Sequence, residues 1–207
     1  MFSPHDVTRA FEAALCEYTG ARFAVTTTSC TQAILMALAW FKYRHGETVV
    51  WMPQWSYVGV PASVRNAGHD VGFCGDEWEI EYGLGPEDGH SWQLWDCAWR
   101  LEEGMFRPGE MQALSFHWTK PLGLGQGGAI LLDDYEAVLW LRRARFDGRS
   151  EGVAPARDQV QYPSWHAYLS PEIAATGLMR LQTRSFRTDH RARWSDYPDL
   201  STLEAFK

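Results

Sequence analysis

The sequence is 207 residues long with a mass of 23.6 kDa, which suits one domain with a sizeable core. Its net charge of −7 argues against a nucleic-acid backbone as the main partner, because that role calls for a basic face. No stretch reaches membrane-spanning length, and the first residues lack the basic start and apolar run of a secretory leader. We therefore expect a cytoplasmic protein that binds neither nucleic acid nor membranes.

The cysteines and histidines show no clear ligand pattern. The four cysteines are scattered without a Cys-x-x-Cys pair, which favours reduced thiols over a disulfide framework. No two of the seven histidines have the His-x-x-x-His spacing of many zinc sites. We therefore expect no metal site.

Hydrophobic periodicity predicts helices and strands that alternate along the chain. Helices are predicted over 3–20, 31–46, 56–68 and 135–148, with a last helix that opens at Ser170; strands are predicted over 22–28, 48–52, 70–75, 92–97, 111–118 and 127–134. The strands are continuous apolar runs, which is typical of a mostly parallel sheet covered on both faces. The last two strands are joined by a glycine-rich turn and should be antiparallel. The pattern indicates an α/β fold, with a loop over 149–163 that is long enough to be functional or mobile.

Ligands of open α/β sheets bind at the carboxyl ends of the strands. The stretch "TTSCTQA" lies at one such end, where a strand is followed by a buried helix. The amides of Cys30, Thr31 and Gln32 at that helix N-terminus could bind a phosphate. A plain helix cap by Ser29 or Thr28 is the alternative.

Two further strand ends carry candidate ligand contacts. In "PQWSYVG", Trp55 or Tyr57 could stack on a flat ligand, although core packing is the commoner role of such residues. Asp96 ends the run "SWQLWD", and a buried carboxylate is costly unless it is paired. A protonated ring nitrogen would be one partner for it, and a helix cap is the usual one.

The stretch "SFHWTKPLGLGQGG" places Lys120 in a turn that is followed by a proline and four glycines. Few side chains cover a lysine in such a turn. This is what an amine needs if it must reach a bound carbonyl compound. A nucleotide-binding glycine loop is the competing interpretation. It fails because these glycines open a strand, whereas a dinucleotide fingerprint opens a helix.

Together, in this order, the four features match the needs of pyridoxal phosphate: a helix N-terminus for the phosphate, an aromatic ring, an acid and a lysine. The chain resembles the DegT-type (DegT/DnrJ/StrS) aminotransferases, which aminate nucleotide-linked keto-sugars with this cofactor. The stretches that carry the resemblance are "FEAALCEYTGARFAVTTTSCTQAILMAL", "PQWSYVG", "WDCAW", "SFHWTKPLGLGQGGAI", "RRARFDGR" and "YLSPEIAATGLMRL".

The resemblance assigns a role to each matched position. Ser29, Cys30 and Thr31 take the place of a Ser-Gly-Thr turn that holds the phosphate, with Cys30 replacing the glycine. Ser115 is a further phosphate ligand, and Lys120 is the catalytic lysine that binds the cofactor covalently. Pro121 replaces the usual asparagine after that lysine.

The ring-binding positions follow in the same way. Tyr57 lies on the face of the cofactor ring, and Asp96 pairs with the ring nitrogen and keeps it protonated. Trp99 stands where a glutamine would contact the cofactor. His166 falls near the place of an asparagine that the partner subunit sends to the phosphate, so the resemblance implies a homodimer.

The resemblance implies a three-layer α/β/α sandwich with a mixed, mainly parallel sheet, which is the large domain of type I pyridoxal-phosphate enzymes. Residues 1–207 would form that domain, with the smaller C-terminal domain of the family largely absent. The implied function is amino transfer from a glutamate-like donor to a nucleotide-linked keto-sugar. Two alternatives stay open: a catalytically degenerate member that acts in binding or assembly, and an α/β domain without a cofactor.

Overall fold

The computed structural model describes residues 3–87, 91–162, 164–187 and 191–206, which form alternating helices and strands. The elements are α1 Pro4–Thr19, β1 Phe23–Thr27, α2 Cys30–His45, β2 Val49–Pro53, α3 Gly59–Asn66, β3 Asp70–Cys74, β4 Tyr82–Leu84, β5 Leu94–Asp96, β6 Met111–Ser115, β7 Gly128–Leu132, α4 Tyr135–Ala144 and α5 Pro171–Gln182. All predicted helices and strands are present, although several are shorter than predicted. The predicted loop contains a short 3-10 turn, Pro155–Arg157, and its last position, 163, lies outside the described residues.

The strands form one mixed sheet in two parts. Five of them are ordered β1-β7-β6-β5-β4, and the parallel pair β2-β3 joins this sheet through an antiparallel bridge between Trp51 and Gly85. Among the described strands, β1, β2, β3, β5 and β6 run in one direction, while β4 and β7 run against them. The predicted mixed sheet is confirmed, with five of these seven strands in one direction, and so is the antiparallel pairing of β6 with β7.

Strand β4 was not predicted. It lies antiparallel between β5 and β2, and Tyr82 is paired with Asp96 in its register. The connection from Leu84 to Leu94 is too short for a parallel crossover, which needs a dozen or more residues, so the chain can only reverse there. The three residues of β4 contain a glycine and lie between Glu81 and Gly85, so no apolar run marks them as a strand.

Two hydrophobic clusters lie on opposite faces of the sheet. Successive residues along the strands alternate between them, so that Val25 and Ile130 face one cluster while Ala24 and Leu131 face the other. The first cluster contains the buried residues of α2, α3 and α4, and the second contains those of α1 and α5. The structure is therefore the three-layer α/β/α sandwich that was expected.

The starts of the helices follow from their sequences. Ser3 and Asp6 form a reciprocal capping box at α1, and Gly20 ends that helix with φ +80°. Helix α2, which is apolar nearly all round, buries residues on several sides between the sheet and its neighbours α3 and α4. None of the helices in the described ranges is long and apolar enough to cross a membrane.

Candidate functional site

A cavity of about 350 Å³ opens where the parallel strands end. Strands β1, β2 and β6 run in the same direction, so the segments that follow them meet at one edge of the sheet. Six of the nine predicted site residues line the cavity: Ser29, Cys30, Thr31, Tyr57, Ser115 and Lys120. Asp96 and Trp99 contact these residues from behind, and His166 lies elsewhere.

One end of the cavity is formed by hydroxyl groups at the start of α2. Ser29 and Thr31 line it from the helix, and Ser115 lines it from the end of β6. The Oγ atom of Ser29 accepts a hydrogen bond from the amide of Gln32 at 3.0 Å, so Ser29 also acts as the N-cap. A side chain on Gly128 would place its Cβ 2.5 Å from the amide nitrogen of Cys30, so only glycine fits there. This end combines a helix N-terminus with three hydroxyls, as a phosphate site requires.

Lys120 lines the same cavity from the turn after β6. Its amide donates to the carbonyl of His117 at 2.9 Å, and its Nζ atom lies 3.3 Å from the ring centroid of Trp99. Burial lowers the pKa of Lys120 to about 8, while the charges of Asp96 and Cys30 act in the opposite direction. A substantial part of the amine is therefore neutral near pH 8, the form in which it can attack a carbonyl.

Asp96 is buried at the end of β5, directly behind the cavity wall. Its carboxylate accepts hydrogen bonds from the Tyr82 hydroxyl at 2.7 Å and the Ala98 amide at 2.9 Å, and the Cys30 Sγ atom lies 3.8 Å from it. Burial raises the pKa of Asp96, and these hydrogen bonds together with Lys120 lower it. A carboxylate has roughly four acceptor positions, so Asp96 retains capacity for a further donor.

The side walls are aromatic. The Tyr57 ring lines the cavity, and a Cβ atom on Gly59 would come within 2.8 Å of that ring, so the glycine makes room for it. Tyr197, from the segment after α5, forms another wall and accepts a hydrogen bond from Trp99 Nε1 at 2.9 Å. Sequence reasoning missed Tyr197, because its place depends on the return of the C-terminal segment to the site.

His166 does not line the cavity of its own chain. Its side chain is 68% exposed, and its Nδ1 atom lies 2.8 Å from a carboxylate oxygen of Asp147. The ring also packs edge-on against Tyr168. His166 is predicted to contact the phosphate in the site of a partner subunit. Its distance from the cavity of its own chain does not test that role, which stays a prediction.

Solved structures share this fold at low sequence identity. Helicobacter pylori PseC, an aminotransferase involved in the biosynthesis of pseudoaminic acid, matches 86% of this chain with a TM-score of 0.67 and 17% identity. A DegT/DnrJ/EryC1/StrS aminotransferase from Brucella abortus matches 86% with a TM-score of 0.64 and 20% identity. A Streptococcus pneumoniae protein assigned as a sugar aminotransferase, in its pyridoxal-phosphate form, matches 85% with a TM-score of 0.66 and 14% identity. The fold is that of the type I pyridoxal-phosphate transferases.

The match covers only part of each of those proteins. The chain spans 57% of the PseC chain, 58% of the Brucella chain and 59% of the Streptococcus chain. Direct comparison with the sequences of curated proteins gives no significant match.

The sequence profile of the DegT/DnrJ/EryC1/StrS aminotransferase family matches residues 2–80 and 104–200. The chain therefore belongs to this family, as its resemblance indicated. The matched ranges include Ser29, Tyr57 and Lys120. They leave out 81–103, the range that contains Asp96 and Trp99.

Proposed function

We propose that this protein is a pyridoxal-phosphate-dependent aminotransferase, and that residues 1–207 form one cofactor-binding large domain. The observation that carries the proposal is the placement of Lys120. Its half-buried amine, with a pKa of about 8, lines the same cavity as the hydroxyl-rich N-terminus of α2. An amine and an anion site in one cavity suit a ligand that carries an aldehyde and a phosphate.

The residues present fit this cofactor. Ser29, Thr31 and Ser115 would hold its phosphate, and Tyr57 would cover the ring. Asp96 would accept a hydrogen bond from the protonated ring nitrogen, since it is ionisable, buried and in contact with two residues of the cavity wall. When bound, the cofactor supplies an electron sink that makes the carbon next to the amino group acidic.

The chain's own residues then perform the proton transfers. Lys120 would act as the general acid and base, its Nζ atom taking a proton from the substrate and returning it. A pKa of about 8 suits this role, because a group that both takes and returns a proton works best near the ambient pH. The negative charge of Asp96 stabilises the protonated ring nitrogen throughout.

A basic groove beside the cavity supports an anionic acceptor such as a nucleotide-linked keto-sugar. Lys120 lines this groove as well as the cavity, and Arg180, Arg184 and Arg187 surround it. Arg180 is fixed by donating to the carbonyl oxygens of Leu122 and Gly123, at 2.7 and 2.6 Å. Three arginines at one place in a chain of net charge −7 favour a phosphate-bearing substrate. A glutamate-like amino acid would be the donor.

A second candidate function is binding or assembly without turnover. Two contacts favour it: Cys30 lies against Asp96, and the Trp99 ring covers the Lys120 amine. Either contact would hinder the chemistry if it persisted after the cofactor bound. Pro121 also favours it, because it replaces the asparagine that follows the lysine in the family's motif.

The half-reaction with glutamate tests the enzyme against this alternative. We expect bound pyridoxal phosphate to be converted to pyridoxamine phosphate, with one 2-oxoglutarate formed for each cofactor, and the amine then to pass to a keto-sugar nucleotide. The measurement is single-turnover absorbance together with product mass. A cofactor that binds and does not react supports the binding protein, and failure to bind any cofactor supports an α/β domain without one.

A homodimer and a cytoplasmic location complete the proposal. In a dimer, His166 would approach the partner's phosphate site, consistent with its exposure in the single chain. We expect sedimentation at micromolar concentration to report a dimer. A monomer alone at that concentration would contradict this part.

A further inference from the structure

The segment 191–206 lies against the candidate site. The Trp194 amide donates to the carbonyl of Trp78 at 3.0 Å, and the Trp194 ring packs on Trp55 with 4.8 Å between centroids. Further along, the Leu200 amide donates to the carbonyl of Gln54 at 2.9 Å. These contacts fix the segment to the loops that follow β2 and β3.

Tyr197 is the residue of this segment that reaches the cavity. Its ring packs against Trp78, with 5.3 Å between centroids, and its oxygen accepts the hydrogen bond from Trp99 Nε1. Because Trp99 has a single N–H donor, this bond selects one orientation of the indole. The orientation of Trp99 is therefore tied to the C-terminal segment.

The face of the oriented indole covers the amine of Lys120. With Nζ 3.3 Å from the ring centroid, the ammonium lies well within the range of a cation–π contact. Such a contact stabilises the charged amine, and it also restricts where the amine can lie. Both effects act on the group that must react.

We propose that Tyr197 is a positioning residue that holds the Trp99 indole over the Nζ atom of Lys120 and so couples the segment 191–206 to the reactive amine. The importance of the amine for catalysis rests on the proposed function, whereas the coupling itself does not. The coupling can be measured on protein without cofactor.

The experiment measures the pH at which Lys120 is half deprotonated. Several titratable groups face this amine: Asp96 behind the wall, Cys30 on α2, Tyr57 after β2, His117 in its own turn, and Tyr197 itself. Tyr197→Phe changes none of the charges near neutral pH, because it removes only a hydroxyl. We expect it to lower the pKa of Lys120 by about half a unit, the scale of an exposed cation–π contact, since the charged amine loses support.

The measurement is the pH dependence of amine labelling at Lys120 in the cofactor-free protein, followed by peptide mass. Lys42, a half-buried amine that is bound to the carbonyl of Gly68 and to Glu47, is the internal reference. Tyr162→Phe is the matched control, because Tyr162 is also half-buried, hydrogen-bonded and stacked on a tryptophan, and belongs to a different part of the fold. It should leave the pKa of Lys120 unchanged.

A double-mutant cycle decides whether Tyr197 acts through Trp99. Trp99→Phe keeps a ring and removes the N–H donor, so Tyr197→Phe should have no further effect in that background. An unchanged or raised pKa of Lys120 in Tyr197→Phe, or an undiminished effect of Tyr197→Phe in the Trp99→Phe protein, would overturn the proposal. A cofactor that fails to react would overturn the proposed function and leave this coupling in place.

Discussion

Lys120→Ala is expected to abolish covalent attachment of pyridoxal phosphate and to reduce amino transfer by roughly 10²–10⁴-fold or more. The loss is large because this one amine has two roles, as the nucleophile for the cofactor aldehyde and as the acid and base for proton transfer. The alanine removes an amine at a cavity wall and creates no void in either hydrophobic cluster. Folding should therefore be little affected, and noncovalent cofactor binding through the phosphate should persist.

The assignment is simple to check because the chain has three lysines, Lys42, Lys120 and Lys207. Borohydride added to the cofactor-loaded protein should leave a stable adduct on the peptide that contains Lys120. Lys42→Ala is the control, since the Lys42 amine is bound to the carbonyl of Gly68 and to Glu47. An adduct that survives in Lys120→Ala would show that another amine reacts.

The parts of the site that could be predicted are those set by strand direction. Ser29 and Tyr57 follow strands, and Ser115 ends one, and each of these strands can be recognised from its apolar run. Once those strands are parallel, the positions after them must meet at one edge of the sheet. The turn that carries Lys120 can be recognised from its glycines. Gly123, Gly125 and Gly127 adopt positive φ, a conformation that favours glycine.

The parts that could not be predicted depend on contacts between distant segments. Tyr82 contacts Asp96 because β4 pairs with β5, and no apolar run marks β4 in the sequence. Tyr197 contacts Trp99 across nearly half of the chain, through a segment built from short 3-10 turns. Neither pairing has a local periodicity, and only the folded chain brings the partners together.

Asp96 lies in the range 81–103, which also contains strand β4. The family profile does not cover this range, so Asp96 is assigned from its place at the end of β5. Its neighbours Tyr82 and Cys30 give it a hydrogen-bonded setting that suits a carboxylate. Substitution of Asp96 is therefore the most informative test after that of Lys120.

Asp96→Asn is expected to weaken cofactor binding and to slow amino transfer on the order of 10²–10³-fold, the scale of losing one preorganised electrostatic contact. Asparagine has the shape of aspartate and can still accept the Ala98 amide, while the Tyr82 hydroxyl can turn to accept from the new amide group. The fold should tolerate the change. The site loses the negative charge that keeps a ring nitrogen protonated.

The same substitution has a second readout that needs no cofactor. The charge of Asp96 raises the pKa of Lys120, so its removal should lower that pKa from about 8 and shift amine labelling to lower pH. Asp70→Asn is the control, because Asp70 is exposed and pairs with Arg65 on the surface.

If Asp96→Asn lowered the pKa of Lys120 and left amino transfer at the wild-type rate, Asp96 would be a neighbour of the lysine with no role toward the ring. If transfer fell and the pKa stayed at about 8, the two groups would not interact, contrary to the geometry of the cavity. The proposed function requires both changes together, since it places one carboxylate within reach of the ring nitrogen and of the amine.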